Sequence, residues 1–321
     1  MTEQHVTVRV PATTANLGPG FDSFGLALSR HLVVRSHPRT ADTPRVTTRG
    51  ECADELATGD DNLVWRSLLA FCEAHAVAAP DVRLEVVNGI PLERGLGSSS
   101  AAIVAGLVLA RALTGIVVGD RDLVVLADRL EGHPDNVAPA LLGGLVACTP
   151  ADDGRLVVRR RNPAPHLRPV ALIPTTRQAT TAARAVLPST LPRGEAAMQA
   201  GRAGHVLGGL LGAWPVDAAV AGDRLHEPAR LQVMTATAAV VTGLRAIGVH
   251  AWLSGAGPSA AAMVDGATAG VDDEIERIAA THGFVVARLR VDLSGAVACV
   301  DGGCEFSGVG GTCSQCPRQW L

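Results

Sequence analysis

Pro91-Leu-Glu-Arg-Gly-Leu-Gly-Ser-Ser-Ser100, with Ala101 behind it, joins a strand-like run to a helix-like one. Upstream, Asp81 to Val87 places Val82, Leu84 and Val86 at period two, which predicts a strand. Downstream, Ala101 to Leu113 is almost continuously apolar, which predicts a helix. Strand, glycine loop and helix start together suit an anion. Gly95 and Gly97 let the backbone approach a ligand closely, and the first helical amides point outward at the positive end of the dipole. Ser98, Ser99 and Ser100 can cap the helix, or one hydroxyl can bind phosphate or Mg²⁺. Taken alone, a glycine turn with a serine cap accounts for the same residues equally well.

Composition narrows the chemistry. All 28 basic residues of the 321-residue chain are arginine; there is no lysine and no tyrosine. P-loop enzymes, protein kinases and pyridoxal enzymes each need a lysine, so all three classes are excluded. With 47% hydrophobic and 3% aromatic residues, the core must be aliphatic. A net charge of -3 argues against a nucleic-acid partner. Met1 to Val10 lacks the apolar centre of a signal peptide, and Ala101 to Ala110 stops at Arg111, short of the ~20 residues that span a bilayer. Cys52, Cys72, Cys148 and Cys299 are scattered through ordinary globular sequence, so a cytoplasmic location and no membrane partner are expected.

Along the chain, 5–12 reads as a strand, followed by a turn-rich loop to Asp22 and an apolar stretch from Phe24 to Leu28. Asp122 to Leu130 reads as a helix, then Glu131-Gly-His-Pro-Asp-Asn136 and a further apolar helix or strand. The polar, arginine-rich stretch from Ala151 to Pro169 suggests a domain boundary near Asp153. The second half mixes strands (Pro169 to Pro174, Val249 to Leu253) with helices (Glu195 to Leu211, Leu231 to Ile247). Without steady βαβ alternation, the class is α+β.

Three more segments carry polar groups beside tight turns. Asn16-Leu-Gly-Pro-Gly-Phe-Asp22 sets two polar side chains in one loop. Ser254-Gly-Ala-Gly-Pro-Ser259 follows a strand and fits a dinucleotide fingerprint through Gly255, Gly257 and Ala260, with Asp272 and Asp273 near the ribose-acid position. Too little chain follows to complete two βαβ halves, so that fingerprint is weak. In Glu131 to Asn136 a carboxylate could hold a divalent metal while His133 and Asn136 bond a substrate, or Gly132 and Pro134 merely end a helix.

Together, in this order, these segments resemble the GHMP kinase superfamily and, within it, the homoserine kinase family. The resemblance rests on Pro11 to Asp22, Pro91 to Ala102, Glu131 to Pro139 and Leu253 to Ser259. It extends to Thr180-Thr-Ala-Ala-Arg184 and Asp223-Arg-Leu-His-Glu-Pro-Ala-Arg230, covering about residues 6–297. It implies a two-domain fold: an N-terminal ATP-binding domain, 1–153, and a C-terminal ferredoxin-like α/β domain, 154–298. A Gly/Cys-rich tail, 299–321, lies beyond the usual family end.

The implied activity is transfer of the γ-phosphoryl of ATP to the hydroxyl of L-homoserine, an amino-acid biosynthetic step toward threonine. Pro91, Leu92, Glu93, Arg94, Gly95, Leu96, Gly97, Ser98, Ser99, Ser100 and Ala101 would wrap the triphosphate, replacing a P-loop lysine. Ser99 and Glu131 would hold Mg²⁺. Arg184 and Arg230 would grip the substrate carboxylate, Asp22 its ammonium group and Asn136 its hydroxyl, with Asn16, His133 and Thr180 around them. His133, Asn136 and Glu131 are the candidate catalytic residues, and a homodimer is expected. Thr14, Ser100 and Ser259 depart mildly from the family pattern. The tail cysteines, Cys304-x8-Cys313-x2-Cys316, contain one CxxC pair without a well-spaced second, so a dispensable tail is expected rather than a zinc site. A kinase for another small hydroxy amino acid, or a non-catalytic paralogue, is the alternative.

Overall fold

The computed structural model describes residues 5–40, 42–266, 268, 270–300 and 303–305; for 180–182 and 303–305 it describes the backbone alone. The first half begins with β1 (Val6–Ala15), β2 (Phe24–Pro38) and β3 (Val46–Gly50), then α1 (Leu63–Ala74) and β4 (Val82–Asn88). Next come α2 (Ser98–Thr114), α3 (Asp120–Glu131), α4 (Pro134–Leu142), β5 (Leu145–Pro150) and β6 (Leu156–Arg161). The second half runs β7 (Leu167–Pro174), α5 (Thr180–Ala185), α6 (Arg193–Leu210), α7 (Glu227–Val233), α8 (Thr235–Ala246), β8 (His250–Leu253) and β9 (Ala260–Asp265). It closes with α9 (Val271–Thr281), β10 (Phe284–Arg288), β11 (Val297–Val300) and β12 (Gly303–Glu305). The α+β class read from the sequence is the class observed.

One sheet runs β12-β11-β1-β2-β4-β3, with β5 paired to β2 and β6 to β5; the other runs β10-β7-β9-β8. Among the described strands, only β3 and β4 pair in parallel. Alternating Val6, Val8 and Val10 point into the main core, each 0% exposed, as a half-buried strand requires. Apolar α2 lies inside that core, packed on α1, α3, α4 and β1, which is why its sequence shows little polar face. The second sheet packs Val170, Leu172, Ala260 and Ala262 against Val240, Leu244 and Ile275 of α8 and α9.

Several local expectations shift. The segment expected as one helix from Leu231 to Ile247 is two, because Met234 leaves helical geometry at φ -117 and ψ 62. The polar stretch near the boundary contains β6, a hairpin partner of β5 with alternate arginines facing outward. Cys299, placed with the tail on sequence grounds, lies in β11 opposite Thr7 of β1. Cys304 falls in β12, in register with Cys299, while Cys313 and Cys316 lie outside the described residues.

Candidate active site

Three loops meet at the N-terminus of α2. Gly95 and Gly97 both have φ near +69, and Gly97 is the N-cap of α2. A Cβ on Gly97 would fall 1.9 Å from Thr13 Oγ1, and one on Gly95 would fall 2.2 Å from the Ser254 carbonyl. Only glycine therefore lets β1, the 91–97 loop and the 254–257 loop touch. Ser254 Oγ completes the junction, donating its one hydrogen to the Gly95 carbonyl at 2.6 Å and lying 2.8 Å from Thr14 Oγ1, whose hydroxyl can donate back to it. The 254–257 loop connects antiparallel β8 and β9, so a strand rather than a helix follows it directly. The dinucleotide fingerprint is thus a hairpin turn, not a nucleotide fold.

The resulting cleft has a volume of about 610 Å³ and is lined by Pro91 through Ser100, Asn16, Asp22, Glu131, His133, Asp135, Asn136, Arg184 and Arg230. Of the residues expected in the ATP loop, Ala101 does not reach it. It is 0% exposed, turned into the core by the helical rotation that places Ala102 on the cleft wall instead. Thr180 opens α5, but its side chain lies outside the described set.

At the α2 end, Ser99 Oγ and Ser100 Oγ donate to the same oxygen of Glu131, Oε1, at 2.6 and 2.7 Å. Glu131 ends α3, where Gly132 in the left-handed region stops the helix at φ 89. His133 then caps α4, with Pro134 in its first turn. His133 Nδ1 bonds Asp135 Oδ1 at 2.8 Å. Burial opposes its charge, yet the Asp135 hydrogen bond and the charges of Asp135 and Glu131 outweigh that and raise its pKa above 6.5. Asn136 accepts from Thr13 Oγ1 at 2.7 Å.

At the opposite end, Arg184 grips Asp22 through two bonds, 3.1 and 2.8 Å. Arg230 is 2% exposed and donates from Nε to the Ala183 carbonyl and from Nη1 to the Gly255 carbonyl, both at 3.0 Å. Burial, then the charge of Arg184, lowers its pKa. Asn16 donates to the same Gly255 carbonyl at 3.0 Å and accepts from the Asp22 amide at 3.2 Å. Arg94 serves the frame, bonding the carbonyls of Pro174 at 2.9 Å and Leu92 at 3.1 Å. Every expected site residue with a described side chain, Ala101 apart, thus reaches one cleft.

Sequence reasoning missed several contributors, four of which shape the site directly. Thr13 and Asp135 belong to quoted motifs but show their roles only through their contacts with Asn136 and His133. Leu56 and Leu63 give the cleft an apolar wall, and nothing in their residue type signals that. Among the described residues, no group of three or more metal-ligating side chains occurs. A hard cation at the α2 end would meet Glu131 and the hydroxyls of Ser99 and Ser100, a sparse oxygen set that suits Mg²⁺ carried on phosphates.

Comparison with known proteins places this geometry. Residues 62–144 match the family described as GHMP kinases N terminal domain. A homoserine kinase from Synechococcus sp. is 42% identical over 262 residues, covering 80% of this chain and 85% of that protein. One from Streptomyces avermitilis is 39% identical over 297 residues, covering 91% and 94%. The crystal structure of homoserine kinase from Cytophaga hutchinsonii superposes with a TM-score of 0.80 at 26% identity, covering 93% of this chain and 98% of that one. L. major mevalonate kinase, at 14% identity and a TM-score of 0.62, shares the fold.

Proposed function

The chain belongs to the homoserine kinase family of the GHMP kinases, and we propose that its cleft transfers the γ-phosphoryl of ATP to the hydroxyl of L-homoserine. The product is O-phospho-L-homoserine, an intermediate toward threonine. The observation that carries this reading is one cleft with two chemically opposite ends. One end offers helix amides and glycines to phosphates. The other offers a guanidinium and a carboxylate, Arg184 and Asp22, to the two charged groups of an amino acid.

Phosphoryl transfer needs positioning and charge neutralisation more than covalent help. The 91–97 loop and the start of α2 bind the triphosphate, and Leu56 and Leu63 supply an apolar wall for the base. Glu131, with the hydroxyls of Ser99 and Ser100, would hold Mg²⁺, which when bound offsets charge on the β- and γ-phosphates. Arg184 and Arg230 hold the carboxylate, Asp22 the ammonium, and Asn136 orients the hydroxyl. Against the opposing effect of burial, Asp135 and Glu131 raise the His133 pKa, so the ring holds a proton more tightly than a free imidazole. The hydroxyl proton passes to phosphate or water. Among the described residues no helix is long and apolar enough to cross a membrane, and a cytoplasmic location completes the reading.

An ADP-release assay with L-homoserine, L-threonine and mevalonate side by side tests it. Turnover with homoserine well above the other two is expected. Preference for another acceptor, or ATP binding without ADP from any of them, would overturn the substrate assignment.

A further inference from the structure

One buried side chain outside the cleft joins both halves of the substrate end. His226, 0% exposed, caps α7 and stacks on Phe21 with ring centroids 5.1 Å apart and 24° between planes. Its Nδ1 lies 3.3 Å from Arg230 Nη1. Its Nε2 lies 3.4 Å from the Gly18 carbonyl and 3.7 Å from Asp223 Oδ1. A guanidinium can only donate, so Nδ1 must present a lone pair. A carbonyl and a carboxylate can only accept, so Nε2 must carry the hydrogen. Only the neutral Nε2–H tautomer meets both demands.

Surrounding charges agree with that assignment. Burial, helped by the charge of Arg230, pushes the His226 pKa down to about 4 against the opposing charges of Glu227 and Asp22. Asp223 is held in place by Gln199, which donates to its Oδ2 at 2.6 Å. The centroid of the stacked Phe21 ring lies 5.4 Å from Arg230 Cζ and 5.8 Å from Arg184 Cζ. The loop anchored at Gly18 is the one that carries Asn16 and Asp22, both with positive φ, 70 and 51.

We infer that His226 is a positioning residue: its neutral imidazole ties the Gly18 turn to Arg230 and so sets the spacing between the carboxylate-binding and ammonium-binding ends of the site. This rests on the amino-acid substrate proposed above. His226 touches no substrate. It acts through Arg230, held at Nη1, and through the loop bearing Asp22.

The test uses the full chain. His226→Phe keeps the ring and its stacking but removes both polar contacts, whereas His226→Gln keeps a neutral donor and acceptor. His226→Phe should raise KM for homoserine roughly tenfold, with KM for ATP and kcat changed less than about threefold. His226→Gln should recover much of that loss. Adding His226→Phe to Arg230→Ala should cost little beyond Arg230→Ala alone, because the two act as a unit. Parallel rises in both KM values, or additive losses with Arg230→Ala, would overturn the inference. Nitrogen-15 NMR of the wild-type ring needs no substrate and no variant. A neutral Nε2–H signature throughout roughly pH 5.5 to 8.5 is expected, and an imidazolium or Nδ1–H signature would overturn it. Failure of the wild type to phosphorylate homoserine would instead strike the proposed function, leaving the NMR result to judge His226.

Discussion

Arg184 and Asp22, 162 positions apart in sequence, meet in a two-bond ion pair, Nη2 to Oδ1 at 2.8 Å and Nη1 to Oδ2 at 3.1 Å. The two side chains remain about a third exposed, 37% and 35%. The pair is therefore accessible and weakly held, since exposed ion pairs contribute ~0–1 kcal/mol. A zwitterionic amino acid carries the complementary pair of charges and can take both places at once.

Opening that pair predicts a carboxylate-dependent effect. Arg184→Ala should raise KM for homoserine roughly ten- to hundredfold, and Arg184→Lys should restore only part, lacking the planar fork. Against an analogue whose carboxylate is neutral, wild type and Arg184→Ala should perform alike. A further large loss with that analogue would move Arg184 to the ATP phosphates. Melting temperatures should barely change.

Glu131 ends α3 with both serine hydroxyls on one oxygen. Glu131→Gln should lower kcat by ~10²–10³ while the fold survives, the scale for removing one electrostatic stabiliser. Chelation of divalent cations should abolish turnover in the wild type. Near-normal kcat for the variant would make Glu131 a helix-end residue and nothing more.

Gly97→Ala meets two obstacles at once, a φ of +69 and a Cβ 1.9 Å from Thr13 Oγ1. It should lower the melting temperature, raise KM for ATP and disturb Asn136, which Thr13 holds. Substitution where φ is positive costs about 1 kcal/mol before any clash is counted. Unchanged melting and kinetics would mean the loop can rearrange freely.

His133 and Asp135 predict a pH window. The His133 pKa is raised in the folded chain above 6.5, so its stabilising contribution is fully present below that value. It is lost as pH rises through the folded pKa. The stability gap between wild type and Asp135→Asn, from denaturant melts, should be widest below pH 6.5 and narrow above it. A gap that widened toward alkaline pH would contradict the pairing.

Truncation after Val297 removes Ala298, Cys299 and Val300, which pair with Val8, Thr7 and Val6 of β1. Ala298 and Cys299 are 7% and 6% exposed. That cut should lower the melting temperature, whereas truncation after Glu305 should leave melting and activity nearly unchanged. Equal melting for both would assign no stability to this strand pairing.

The amino-acid sequence alone determined the α+β class, the aliphatic core and the absence of lysine-dependent chemistry. These follow from composition and periodicity, which are local properties. It also brought out the loops at 16–22, 91–100, 131–136 and 254–259, because glycine, proline and polar clusters mark turns wherever they fold. Element limits were less legible: the break at Met234 and the hairpin strand β6 carry no strong local signal.

Tertiary structure alone decided which of those loops share a cleft and how their atoms pair. Gly97 is required because Thr13 of β1 occupies the space of its Cβ, and Ala101 turns inward because the helix rotates it into the core. Arg184 could have been a solvated surface residue until folding brought Asp22 against it. His226 looked like one more motif residue, and its role depends on Gly18, Phe21 and Arg230 arriving from distant positions. Hydrogen-bond partners and buried charges are relations between remote segments, and only the folded chain brings those segments within reach.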